Sequence, residues 1–87
     1  MCEKMGKGVD AIAMVYHYVS KGLMEELTEF QHQSEKVICS SLHVHLDAGN
    51  CLEIIAVRGK AEDVRELTQE LKTKKGVKQI KLAIVTP

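Results

Sequence analysis

Four side chains in this sequence are potential ligands for a transition metal: His43 and His45 flanking Val44, Cys51 six residues further on, and His32 eleven residues before the pair. Imidazole nitrogen with thiolate sulfur is a borderline-to-soft donor set, which disfavours the oxygen-seeking Mg(II) and Ca(II). A planar arrangement would suit Ni(II) or Cu(II) and a tetrahedral one Zn(II) or Co(II); spacing alone leaves that choice open. Metal would take Cys51 as thiolate and the histidines as neutral imidazoles, so acid should weaken binding. No separate nucleophile–base pair or open catalytic position stands out, and a filled four-ligand set argues for sensing or storage and against an enzyme. The plainer alternative is that His-x-His marks a solvated polar strand face; Cys51 on the same face shifts the balance towards metal. His17 reads as structural or interfacial and Cys39 as a small packed residue, while Cys2 carries no assignment.

The elements that must hold these residues follow from periodicity. Residues 10–18 are apolar on both alternations, with Ile12, Met14, Tyr16 and Tyr18 on one side and Ala11, Ala13 and Val15 on the other, as in a central strand. Ser20 offers an N-cap for a helix whose apolar stripe is Leu23, Met24, Leu27 and Phe30. Residues 37–46 alternate as a strand, the segment from Asp47 to Asn50 is a turn with Gly49 able to take a positive φ, and residues 51–57 return as its partner. Val64, Leu67 and Leu71 mark a second helix stopped near Gly76, and Ile80, Leu82 and Ile84 a last strand. The order βαββαβ specifies an α+β, ferredoxin-like fold: a four-stranded antiparallel sheet with two helices on one face. Residues 1–9 read as a flexible lead-in and 10–87 as one domain.

Strand alternation then sets expectations for the site. Ile38, Leu42, Val44, Leu52 and Ile54 form a purely apolar face, expected to be the helix-covered core. The opposite face would carry His43, His45, Cys51 and Glu53, with His45 across from Cys51, His43 across from Glu53, and facing Cβ atoms about 5 Å apart. Val37, Ile55 and Val57 on that helix-free face would need cover, expected from another copy of the chain. His32, on a helix behind the sheet, would reach the ligands only from a neighbouring subunit.

Composition limits the remaining readings. The chain has 87 residues, near the size at which a single core is only just sufficient, and is 45% hydrophobic and 28% charged. Lys and Arg number 12 against 12 Asp and Glu, which provides no global basic field for nucleic acid. The local group Lys72, Lys74, Lys75 and Lys78 falls at a helix end, where cations complement the dipole. No apolar run reaches the ~20 residues of a membrane span. Three cysteines without a disulfide-type spacing suggest a reducing cytoplasm.

The segments FQHQ at 30–33, LHVHLDAGNCLEI at 42–54 and VRGKAEDV at 57–64 resemble the C-terminal metal-binding domain of nickel-responsive transcriptional regulators, and the resemblance runs from about Ile12 to Val85. It implies an ACT-type ferredoxin-like fold, assembly as a tetramer (a dimer of dimers), and square-planar Ni(II) held by His43, His45 and Cys51 of one chain with His32 of a neighbour. Cu(II) or Zn(II) would be competitors. Gln31 and Glu53 match positions that orient the ligands by hydrogen bonds, and Tyr16 an aromatic position near the site. Such regulators begin with a ribbon-helix-helix DNA-binding domain, and the few residues before the first strand are too short for one, so no direct DNA binding is expected from this chain. A stand-alone nickel buffer or chaperone, or an ACT module binding a small molecule such as an amino acid, are the alternatives.

Overall fold

The computed structural model describes residues 9–19 and 22–84. Most of the expected lead-in, Cys2, Ser20 and the C-terminal residues 85–87 lie outside the described residues. The chain runs β1 (Asp10–His17), α1 (Leu23–Gln33), β2 (Ile38–His45), a short 3-10 turn (Asp47–Gly49), β3 (Asn50–Val57), α2 (Ala61–Lys72) and β4 (Val77–Ala83). The four strands form one sheet in the order β2-β3-β1-β4, every neighbouring pair antiparallel. β1 and β2 are therefore parallel with β3 between them, the split βαβ arrangement expected from the element order.

A single cluster joins Leu23, Leu27 and Phe30 of α1, Val64, Leu67 and Leu71 of α2, and Ile12, Met14, Tyr16, Ile38, Ile55 and Val57 of the sheet. Both helices thus cover the face that β1 presents through Ile12, Met14 and Tyr16, and each large apolar side chain buried there contributes about 1.5–3 kcal/mol. Lys74, beyond the end of α2, ties the helices together at their edge, its Nζ 4.0 Å from Glu26 Oε2 and 5.7 Å above the Phe30 ring. The N-cap position of α1 is Gly22, with φ 77°, and not Ser20.

The structure inverts the expected faces of the hairpin. In the register of β1 with β3, Met14 faces Glu53 and Tyr16 faces Cys51, so Cys51, Glu53, Ile55 and Val57 lie on the helix-covered side, all at most 1% exposed. Leu42 and Val44, expected in the core, are 61% and 41% exposed on the open face, beside half-buried Leu52 and Ile54. The apolar side chains needing cover from another copy are accordingly these and not Val37, Ile55 and Val57. A register shift between Ile38 and Ser40 accounts for the departure of Ile38 from the expected set. One extra residue, Cys39, reverses the alternation, so Ile38 shares a face with His43 and His45 instead of with Leu42 and Val44.

The hairpin turn holds two left-handed residues in succession. Gly49 takes φ 79°, as its sequence context suggested, but Ala48 also takes φ 59°, a left-handed conformation that a Cβ makes unfavourable by about 1–2 kcal/mol. The end of β1 fixes this turn: the Tyr18 N–H donates to Gly49 O at 2.9 Å. A Cβ at Gly49 would stand 3.0 Å from His17 Nε2, so a side chain there would also push the His17 ring aside.

Candidate metal centre

The register of β2 with β3 pairs His43 with Glu53 and His45 with Cys51, as the turn position implied. This face is roofed by helices over β3, so Cys51 and Glu53 are buried, while His43 and His45 on the edge strand stay exposed. Glu53 is fully buried, and its Oε2 accepts from Gln31 Nε2 on α1 and lies 3.3 Å from His43 Nε2. Its Oε1 has no hydrogen-bond partner among the described residues. The other His43 nitrogen, Nδ1, lies 3.3 Å from Tyr16 Oη and 4.0 Å from Cys51 Sγ. With the Nε2–H donated to Glu53, Nδ1 carries the lone pair and faces the phenol and the thiol.

These distances fit a metal-binding role for the pair. Bonds of about 2.1 Å to imidazole nitrogen and 2.3 Å to thiolate sulfur, as found with Zn(II), bridge separations up to about 4.4 Å. The 4.0 Å gap between His43 Nδ1 and Cys51 Sγ falls within that span. A buried carboxylate on the far ring nitrogen is the device that fixes tautomer and orientation in metal-ligating histidines. Within one chain, however, no three His, Cys, Asp or Glu side chains among the described residues are grouped closely enough to hold a common ion.

The remaining two candidates stand apart. His45 is exposed at the end of β2 and stacks on Tyr18, ring centroids 5.3 Å apart and planes 17° from parallel. Tyr18 was not singled out in the sequence, although its alternation with Tyr16 places it on the ligand face. His32 is exposed in the last turn of α1, lining a groove of about 340 Å³ with Gln31, Glu35, Ile38, Ser40 and Ser41. The expectation that His32 is separated from the cluster by its own sheet is incorrect. α1 covers the ligand face, and Gln31, one residue earlier, hydrogen-bonds Glu53 across that layer. His32 is turned away by the ~100° that each residue advances around a helix.

Tyr16 supplies a check on this arrangement. Burial, a hydrogen bond with Cys51 and the nearby Glu53 and Cys51 charges all favour its neutral phenol, raising its pKa well above the usual value. Above about pH 10 the unfolded chain loses this proton while the folded chain keeps it. The stability Tyr16 contributes is therefore complete below that pH and declines as alkalinity rises. In a Tyr18→Phe chain, where Tyr16 is the sole tyrosine, absorbance near 295 nm should show no phenolate until the fold opens. A titration near pH 10 with helical circular dichroism intact would contradict the network.

Residues 9–85 match the family described as the NikR C-terminal nickel-binding domain. The chain belongs to that family. It is 43% identical over 82 residues to a relative from Methanococcus vannielii, covering 94% of this chain and 58% of the relative. To one from Geobacter sp. strain M21 it is 50% identical over 80 residues, covering 92% and 58%. Both relatives are named "Putative nickel-responsive regulator", and the chain spans under two thirds of their length. Among solved structures, an uncharacterized protein of Thermotoga maritima superposes with TM-score 0.79 at 12% identity, covering 91% of this chain and 98% of that one. The ACT domain of a Chlorobium tepidum GTP pyrophosphokinase does so with TM-score 0.72 at 16% identity, covering 87% and 97%. At such identities the likeness establishes the fold, which is ACT-like. No described helix is long and apolar enough to cross a membrane.

Proposed function

We propose that this nickel-sensing regulatory domain binds one Ni(II) per chain through His43, His45 and Cys51, with the fourth ligand, His32, supplied by a partner subunit. The observation that carries the reading is the His43–Cys51 pair on the helix-covered face, with His43 Nε2 held by buried Glu53 and Nδ1 left facing the thiol. Gln31 and Tyr16 steady that pair, Gln31 through Glu53 and Tyr16 at Nδ1.

Assembly is part of the proposal. His32 is exposed and stands outside the cluster of its own chain, so a neighbour's helix end is the economical way to complete the site. The open sheet face, with Leu42, Val44, Leu52 and Ile54, supplies a second and different contact. Two distinct isologous contacts per chain build a dimer of dimers. The domain's own role is then metal capture and assembly in a reducing compartment such as the cytoplasm, with operator contacts left to the DNA-binding domain that the family resemblance implies. Cu(II), favoured by the Irving–Williams order, and Zn(II) are the competitors to exclude.

The test is a Ni(II) titration of the reduced protein followed by absorbance, run on wild type, on His32→Ala, on Cys51→Ala and on a refolded mixture of the two variants. Wild type should show a thiolate-to-nickel band saturating at one metal per chain. Each variant alone should lose the wild-type response, and the mixture should recover part of it, because one chain brings His32 and the other the hairpin ligands. Absence of recovery would rule out sharing between subunits, and absence of a wild-type band would overturn the site.

A further inference from the structure

We infer that Tyr18 is a positioning residue for the metal site, holding the His45 ring by its face so that the imidazole edge stays free to bind; the inference rests on the nickel reading above. His45 is the last residue of β2, an edge strand, and is exposed. A histidine ring there has a broad χ2 distribution, and metal binding must then order it. Tyr18 removes that freedom. Its ring lies nearly parallel to the imidazole, 17° between planes with centroids 5.3 Å apart, within the range of favourable offset aromatic stacks. Stacking occupies the π-face and leaves both ring nitrogens, which lie in the ring plane, unobstructed.

The geometry that places Tyr18 is itself fixed. Tyr18 follows β1 directly, and its N–H is bonded to Gly49 O in the turn that joins His45's strand to Cys51's. The missing side chain at Gly49 lets His17 close onto that turn, where a Cβ would meet Nε2 at 3.0 Å. The stack therefore connects the end of a central strand to the hairpin end, and the rest of the His45 contact follows from backbone structure. The interaction needs an aromatic face and not a hydroxyl, so phenylalanine should replace tyrosine, whereas leucine, of comparable apolar bulk, should not.

The experiment uses Tyr18→Ala, Tyr18→Leu and Tyr18→Phe chains, with two readouts. In metal-free protein, NMR of the His45 ring protons should show a ring-current shift in wild type and Tyr18→Phe that is lost in the other two. In Ni(II) titrations against a competing chelator, Tyr18→Ala and Tyr18→Leu should bind about tenfold more weakly, with faster nickel release and an altered band, and Tyr18→Phe should behave as wild type. Wild-type affinity and spectrum in both Tyr18→Ala and Tyr18→Leu would overturn the positioning role while leaving the nickel site standing. If wild type itself shows no thiolate-to-nickel band, the nickel reading fails and this role fails with it, even where the ring-current shift confirms the stack.

Discussion

The Cys51→Ala chain is expected to bind Ni(II) at least about a thousandfold more weakly than wild type, because removing even an outer hydrogen-bond partner of a metal ligand costs about 10- to 100-fold and this change removes a proposed ligand itself. The thiolate-to-nickel absorption should vanish with it. The fold should survive. Cys51 is 1% exposed at the start of β3, and truncating its single sulfur leaves a small cavity and no unpaired polar atom, a loss of about 1–2 kcal/mol. Alanine is the informative choice, since serine would place a hydroxyl next to the His43–Tyr16 contact. Circular dichroism and thermal melting separate the two effects: an intact melt with lost binding locates the site, and unchanged affinity in a folded variant would remove Cys51 from it.

The second large effect concerns the open sheet face. Ile54 sits at its centre, paired with Leu42 on one side and Ala13 on the other. An Ile54→Lys chain should lose assembly through this face, because an unpaired ammonium buried in an apolar contact costs several kcal/mol. The domain itself should remain folded, since Ile54 points away from the helix-covered core. Sedimentation equilibrium should then report a particle of about half the wild-type mass or less, if that face joins two copies as an isologous contact. An unchanged mass would mean that the open face is not where copies meet. The ligand cluster lies on the opposite side of the sheet, so a spectroscopic nickel response persisting in the smaller particle would separate the two contacts.

The sequence carried the element order, the ACT-like fold and the family, because these rest on strongly periodic segments and on a specific run of residues around LHVH and CLEI. It also carried the pairing of His43 with Glu53 and His45 with Cys51, which follows from a turn of known length centred on Gly49. It did not carry which way the hairpin faces. Choosing the more purely apolar alternation as the core was wrong here for two reasons. The irregularity at Cys39 reverses the phase of β2 partway along, and no composition rule marks it. Glu53, whose charge argued for the outer face, is tolerated inside because Gln31 from α1 and His43 from β2 both reach it. The right-handed crossover preference of parallel strands decides where helices lie, and hydrophobic purity does not. Tyr18 was legible as a face-mate of Tyr16 but not as the partner of His45, since the stack depends on the tertiary closure of β1 onto the turn.

Along the ligand face exposure falls in one direction: His45 is exposed, the His43 side chain is 43% accessible, and Cys51 is 1% accessible. An ion entering the proposed site would therefore meet imidazoles before it meets sulfur, and so would a molecule of peroxide or an alkylating reagent. Small oxidants and electrophiles attack the exposed thiolate, and a thiol this enclosed is a poor target for them. In the proposed site this gradient would act as chemical armour, keeping the most perishable ligand intact between one loading and the next.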